Sequence, residues 1–237
     1  MITLYGFGRA FGNADPSAFV GKTEVLLKMS GLPFTLKRGN LRKSPKGKLP
    51  YIDDNGMVVS DSNFIRAYLE EKYGIDFNGG YSPAERAAGL AFERMCEDHL
   101  YWAIVEVRWL VEENFKAGPA QFFKTLPALV RPFIVRMILR NVKKNLHVQG
   151  FGRHDRADIE RLAIADIDAI ADFLGDKPYL LGARPSGADA TVFSFLHSAQ
   201  SPVFTGPYPA AVNRHPNLVA YIDRMLATYY PDGLART

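Results

Sequence analysis

The spacing of apolar positions changes near residue 80, and the two halves predict different architectures. In the first, short apolar runs alternate with amphipathic stretches. Ile2–Tyr5 and Phe34–Lys37 read as strands. Between them, Ser17–Ser30 carries a helical stripe at Val20, Thr23, Val25, Leu26 and Leu27, closed by Gly31 and Pro33. Pro50–Asp53 and Met57–Val59 flank Asp54-Asn55-Gly56, where Asn and Gly tolerate positive φ and signal a hairpin. Ser62–Tyr73 sets Phe64, Ile65, Tyr68 and Leu69 on one helical face. The order is β-α-β, a connector, then β-β-α, a thioredoxin-like layout.

Residues 74–83, GIDFNGGYSP, read as a Gly-rich linker. From Ala84 on no strand is predicted. Helical periodicity covers about 84–116, 119–146, 156–175, 187–199 and 216–229, with Pro127 and Pro132 breaking or kinking the second segment. The expectation is two domains, 1–77 mixed and 84–237 an all-α bundle.

A chain of 237 residues, 47% hydrophobic and 23% charged, has the balance of a soluble globular protein with a substantial core. No apolar run approaches the roughly 20 residues of a membrane span. MITLYGFGR has no signal-peptide pattern, and the single cysteine, Cys96, suits a reducing compartment, so a cytoplasmic location is expected. The net charge of +4 comes from dispersed residues, and no nucleic-acid partner is expected. One segment is locally basic. Arg131, Arg136, Arg140, Lys143 and Lys144 interleave with Val130, Phe133, Ile134, Met137, Ile138 and Leu139. Such a segment can lie on an anionic membrane. The commoner arrangement, expected here, is the solvated face of a packed helix.

The chemistry concentrates in Ser44–Ser62, SPKGKLPYIDDNGMVVSDS. Pro50 cannot donate to a central ladder. A cis Leu49-Pro50 bond would turn the Leu49 N–H and C=O toward a ligand, whereas a trans Pro would merely start an edge strand. The flanking hairpin and Asp61-Ser62 favour the cis reading. A helix N-terminus attracts anions, so Ser62 can offer its hydroxyl and N–H to a carboxylate while Asp61 accepts from an α-ammonium. A γ-glutamyl group presents both. A plain N-cap is the commoner use of Asp-Ser and is compatible with binding. Asp15 reads as the cap of the first helix with Pro16 in its first turn. A Ser17 hydroxyl there could donate to a thiolate, or be a first-turn serine without a ligand. Gly6, Gly8 and Gly12 miss the GxGxxG pattern because Phe11 takes the third position, and read as a flexible loop. Cys96 and His99 lack a second ligand pair, so packing is expected and no metal. Tyr101, Trp102, Arg108 and Trp109 crowd one helix and read as core, or as the lining of an apolar pocket. Ser186 and Asp189 form a capping box, and Asp166 on an apolar face needs a hydrogen-bond partner.

SPKGKLPYIDDNG and SDS followed by FIRAYLEEKYG resemble the glutathione-binding half of glutathione transferases. SGADATVFSFL resembles the capping motif of their helical domain. SAFVGKTEVLLKMSGLPF, ERMCEDHLYWAIVEVRW and DIDAIADFLGDKPYLLGARPSGADATVFSFL are most similar to the Fax (failed axon connections)/metaxin-like branch. The resemblance implies an α+β fold with a β-α-β-α-β-β-α thioredoxin-like domain, a site between the domains, and a homodimer. Glutathione is implied as co-substrate. Lys48 would reach its glycyl carboxylate, Leu49 its cysteinyl backbone beside cis Pro50, and Asp61 and Ser62 its γ-glutamyl end. Ser17 falls where the family places its catalytic Ser or Cys. The usual S-P-[FY]-C is Ser17-Ala18-Phe19-Val20 here, and the loop from Tyr5 to Ser17 is long. Tyr5 is therefore the substitute hydroxyl, with Asn13 next, and thiol–disulfide exchange is not expected. The implied activity is transfer of glutathione to a small hydrophobic electrophile held by Tyr101, Trp102, Arg108 and Trp109. The alternative is a non-catalytic interaction or stress protein that keeps the fold.

Overall fold

The computed structural model describes residues 1–234. Strands β1 (Ile2–Gly6), β2 (Phe34–Arg38), β3 (Tyr51–Asp54) and β4 (Met57–Ser60) form one sheet in the order β2-β1-β3-β4. β1 runs parallel to β2 and antiparallel to β3. Its alternation buries Ile2, Leu4 and Gly6. Asn55 and Gly56, with φ of 53° and 94°, make the tight turn from β3 to β4, as Asn-Gly predicts. Helices α1 (Ala18–Ser30) and α2 (Ser62–Tyr73) complete the thioredoxin-like half. The connector 39–50 holds turns and no helix, so the second helix of the implied β-α-β-α-β-β-α order is missing. Gly39, Pro45, Gly47 and Pro50 leave no uninterrupted stretch long enough for one.

The linker is packed. Phe77 is buried, and its carbonyl accepts the Gly187 N–H at 2.9 Å. Beyond it lie α3 (Pro83–Met95) and α4 (Tyr101–Leu110), joined by a π-helical turn at Cys96–Leu100. Extended backbone at Val111 then separates α5 (Glu112–Ala117), so the single helix expected over 84–116 is divided. A 3₁₀ turn, Pro119–Phe123, precedes α6 (Arg131–Gln149). Pro127 lies in the break between them and Pro132 sits in the first turn of α6, where its missing N–H costs nothing. Helices α7 (Arg156–Leu174), α8 (Gly187–Ala199) and α10 (Pro216–Tyr229) fall where their periodicity placed them. The short α9 (Tyr208–Asn213) was not foreseen.

Helix α8 is the axis of the molecule, with every residue buried except His197. The predicted capping box starts it. The Asp189 carboxylate accepts from the Ser186 N–H and hydroxyl at 2.7 Å each, from the Leu180 N–H at 2.7 Å and from the Tyr221 hydroxyl at 3.0 Å. Asp166 has its partner too, His99 Nδ1 at 2.5 Å.

The two halves meet where α1 crosses α8. Phe19 inserts between Tyr101 and Phe195, with ring centroids 5.1 and 5.3 Å away. Beside it, the wholly buried Lys22 contacts Glu97 at 2.6 Å, Glu93 at 3.2 Å and the Asn63 side-chain oxygen at 2.8 Å. Arg66 reaches Glu93 at 2.7 Å, Thr191 donates to Glu93 at 2.9 Å, and Arg94 pairs with Glu97 at 2.7 Å. Burial pushes the Glu93 carboxyl upward, but Lys22 and Arg66 outweigh it and hold the group below its ordinary value.

Lys22→Met leaves Glu93 and Glu97 buried without their shared cation, and is expected to cost about 3–5 kcal/mol in urea unfolding. Because Glu93 is depressed, its contribution is present above the ordinary value of 4.5 and is lost as pH falls below it. Glu93→Gln should therefore flatten the acid side of the stability profile. A Lys22→Met midpoint equal to the parent's would remove the network from the account of the interface.

Candidate functional site

The Leu49-Pro50 peptide is cis. Among the described residues, none is hydrogen-bonded to the Leu49 N–H or C=O. The Leu49 side chain is buried with Val20 and Tyr51, and Tyr5 and Phe7 pack against this trio. Tyr5 stacks on Tyr51, its register neighbour across β1 and β3, at 4.4 Å and 13°. Gly39 closes the back of the seat. Its N–H donates to the Gly6 carbonyl at 2.7 Å, and a Cβ there would lie 2.5 Å from Leu49 Cδ2, so any larger residue would have to displace the buried Leu49 side chain.

Asp61 stands opposite, tied to the same seat. Its N–H donates to the Pro50 carbonyl at 3.2 Å, and its carboxylate accepts the Asn63 N–H at 3.0 Å, capping α2. Its φ of 85° lies in the left-handed region that non-glycine residues rarely occupy. Ser62 is buried at the first helical position. Lys48 is exposed, and its carbonyl accepts the Ser44 hydroxyl at 2.5 Å. Pro50, Asp61 and Ser62 are thus brought together by one hydrogen bond across the end of the hairpin, with Leu49 and Lys48 directly before them.

At the third corner the structure corrects one expectation. The N-cap of α1 is Ser17, not Asp15, and the Ser17 side chain makes no capping bond. Asp15 is buried two residues earlier. It accepts the Ser17 N–H at 2.9 Å through one oxygen, and the Phe7 and Gly8 N–H groups at 2.8 and 3.0 Å through the other. It clamps both ends of the loop 7–16. Burial pushes its carboxyl up to about 7 despite these three donors. The expectation of a flexible Gly-rich loop is overturned as well. Arg9 forms a two-pronged ion pair with Glu24 at 2.6 and 2.7 Å, and a Cβ on Gly6 would meet Val20 and Asp15 at 2.6 and 2.7 Å. Asn13 is turned inward. Its side-chain oxygen has no partner among the described residues, and Asn13 lines a cavity of about 10 Å³, room for one water, with Ser194 and His197.

The four residues expected to line an electrophile pocket do not converge. Tyr101 packs against Phe19 and Phe195 in the core between the halves, and Trp102 lies edge-on to Tyr101 at 5.1 Å. Trp109, two turns on, joins Phe115 and Phe123 at 6.1 and 6.4 Å. Arg108 is fully buried and works on the loop. It donates to the Pro16 carbonyl at 3.0 Å, and to the Ser198 carbonyl and hydroxyl at 2.6 and 2.9 Å, with its guanidinium 4.5 Å above the Phe204 ring. No carboxylate pairs with it among these contacts. Burial lowers its pKa to about 9, so it remains a cation at neutral pH behind the turn that carries Ser17.

An aromatic belt that the sequence reading missed runs from the loop to the helical half. Phe7 and Phe122 lie 6.0 Å apart, Phe122 and Phe11 5.6 Å, and Phe11 and Phe204 5.2 Å. These phenylalanines sit in loops and a 3₁₀ turn, where no periodicity marks them.

The chain matches the family model for the glutathione S-transferase N-terminal domain over residues 18–114 and that for the C-terminal domain over 163–225. It is 35% identical to isoprene-epoxide--glutathione S-transferase of Rhodococcus sp. (strain AD45), covering 97% of this chain and 99% of that protein. It is 27% identical to failed axon connections of Drosophila melanogaster, over 98% of this chain and 59% of that one. Metaxin-2 of Homo sapiens matches at 24% over 88% and 81%. Among solved structures, the beta-etherase LigF from Sphingobium sp. strain SYK-6 superposes with a TM-score of 0.68 at 19% identity, covering 95% of each chain. A glutathione S-transferase from Methylobacterium radiotolerans, in complex with glutathione sulfonate, gives 0.64 at 20%, covering 100% and 95%. The chain belongs to the glutathione S-transferase superfamily, on the branch it shares with failed axon connections and the metaxins.

Proposed function

We propose that this protein binds glutathione and transfers its sulfur to the electrophilic carbon of a small apolar compound, an epoxide being the class favoured by its relative from Rhodococcus. The observation that carries the reading is the hydrogen bond from Asp61 N–H to the Pro50 carbonyl, which holds a helix mouth beside the open main chain of Leu49. A crystallised relative of the same fold carries glutathione sulfonate, which supports the choice of ligand. In this reading Leu49 pairs with the cysteinyl backbone, Lys48 meets the glycyl carboxylate, and Asp61 and Ser62 take the γ-glutamyl ammonium and carboxylate. The thiol loses its proton to solvent, and the thiolate is held by accepting a hydrogen bond from the hydroxyl of Ser17 or Tyr5. The N-terminus of α1 and the buried Arg108 cation add positive potential. Attack forms the sulfur–carbon bond and breaks the epoxide carbon–oxygen bond, and the alkoxide takes a proton from water. The belt of Phe7, Phe11 and Phe122 supplies the apolar wall that Tyr101 and Trp102, half-buried against the core, do not form. The site lies between the domains 1–77 and 84–237. Met57, Val58 and Phe64 are exposed and offer the apolar surface for a homodimer. Among the described residues no helix is long and apolar enough to cross a membrane, and a cytoplasmic location fits that.

A second reading, glutathione binding without turnover, has its own support. The Ser17 side chain caps nothing, and Ser17-Ala18-Phe19-Val20 departs from the expected motif. Calorimetry with glutathione, followed by thioether formation from styrene oxide, separates the two. Binding with no product from any epoxide tested selects the second reading.

Asp61→Ala removes a charge-assisted contact and should weaken glutathione by about 10- to 100-fold, read by calorimetry. Of Ser17→Ala and Tyr5→Phe, the one that removes the thiolate donor should lower turnover by about 10²–10³ and raise the pKa of the bound thiol, followed by thiolate ultraviolet absorbance. Unchanged rates in both variants exclude both hydroxyls. Arg108→Lys leaves acceptors at Pro16 and Ser198 unmet. A loss of about 1–3 kcal/mol is expected, with faster amide exchange across Phe7–Ser17. Protection of that loop equal to the parent's would show that Arg108 does not hold it.

A further inference from the structure

We propose that α6 and the segment leading into it form a docking surface for an anionic lipid bilayer. The argument begins with charge. Residues 114–154 contain eight Lys and Arg and no Asp or Glu, while the other 196 residues carry 21 Lys and Arg against 25 Asp and Glu. The whole positive excess of the protein is gathered in one stretch of 41 residues. The ordinary fate of such a segment is to bury its apolar side and solvate its charges. The structure keeps the first part and departs from the second. Leu146 is buried and Ile134, Val135, Ile138, Leu139 and Val142 are half-buried, but the outer side of α6 is not purely polar. Phe133 is 77% exposed, Leu129 just before the helix 87%, and Val130 and Met137 are exposed as well.

The exposed apolar and basic residues share one side. Phe133, Met137, Arg140 and Lys144 follow one another at three- and four-residue spacing, so they form one outward row, apolar toward the helix start and cationic toward its end. Arg136 and Lys143 flank it. None of Arg136, Arg140, Lys143 and Lys144 forms an ion pair among the described residues. Arg131 belongs to the scaffold, since it donates to the Lys124 and Leu126 carbonyls ahead of α6. An apolar tip with a collar of unpaired cations matches the headgroup region of an anionic bilayer, which takes Phe, Leu and Met into its outer acyl layer and pairs phosphates with Lys and Arg. Two other occupants fit less well. A second copy of this chain would set this cationic face against its duplicate. A nucleic acid would find phenylalanine, leucine and methionine at the centre of its footprint.

The test uses the full chain in vesicle flotation. Phosphatidylcholine vesicles containing phosphatidylglycerol should carry the protein, pure phosphatidylcholine vesicles should not, and high salt should release it. Arg140→Glu with Lys144→Glu should reduce the bound fraction by about tenfold or more, and Phe133→Ser with Met137→Ser should act in the same direction, with unchanged melting temperatures. All these positions lie on the surface, so folding is not at stake. The proposal is overturned by absence of flotation on anionic vesicles or by equal flotation on neutral ones. It is also overturned if the Phe133→Ser, Met137→Ser variant changes the sedimentation of the free protein, or if duplex DNA competes the protein off the vesicles while binding the apolar variant unchanged.

Discussion

The interaction on which the rest of the structure depends is the burial of Lys22 between Glu93 and Glu97. A lysine with no solvent access is tolerated only when its charge is met, and here two carboxylates and an amide oxygen meet it from α2, α3 and the π turn. Such a cluster contributes little net stability, because each ion gives up its hydration. Its value is in geometry, since any displacement of the helical half separates charges that have no water to replace their partners. Asn63 extends that constraint to the junction of Asp61 and Pro50. Its side chain accepts from Lys22 and Arg94 and donates to Glu97, while its N–H is held by the Asp61 carboxylate. The residue that presents the helix mouth is therefore one hydrogen bond away from the domain interface.

The loop 7–16 is governed by a similar economy of buried charge. Asp15 fastens the two ends of the loop through three main-chain donors, Arg9 fastens its middle to Glu24, and Arg108 fastens its end to α8. Asp15 holds its proton to about pH 7 in the folded state. It therefore favours the folded form in acid, and that advantage fades as pH rises from the ordinary carboxylate range toward neutrality. The clamp beneath Ser17 changes charge near physiological pH, while the Arg108 clamp beside it does not.

The strands, α1, α2, α7, α8 and α10 were legible because each carries a local signal: a period, a cap, or an Asn-Gly turn. Ser186 and Asp189 announced the start of α8, and the hairpin flanked by Leu49-Pro50 and Asp61-Ser62 announced the cis bond. What escaped notice depends on distant partners. Lys22 sits within a helical stripe and looks like any surface lysine until Glu93 and Glu97 arrive from 71 and 75 residues away. Asp15-Pro16 imitates a helix cap, and only the returning N–H groups of Phe7 and Gly8 draw the carboxylate into the loop. Tyr101, Trp102, Arg108 and Trp109 share a helical region, but residues 101 and 108 face the core and the loop while Trp109 turns to α5. Proximity along a helix does not make a pocket wall. The exposure of Phe133 was equally invisible, because a periodic pattern does not tell whether a second surface exists to cover it.

The two halves of the proposed chemistry are secured very differently. The binding half is over-determined: the Pro50 carbonyl to Asp61 bond, the Gly39 approach to Leu49 and the Tyr5–Tyr51 stack hold it independently, and all of them use main chain or core packing. The activating half rests on a hydroxyl group that no partner among the described residues orients, at Ser17 or at Tyr5. Ser17→Ala or Tyr5→Phe removes a donor and keeps the Tyr5–Tyr51 stack, whereas loss of the seat requires backbone rearrangement. In the proposed reading, a chain on this scaffold can therefore lose turnover while its glutathione seat persists.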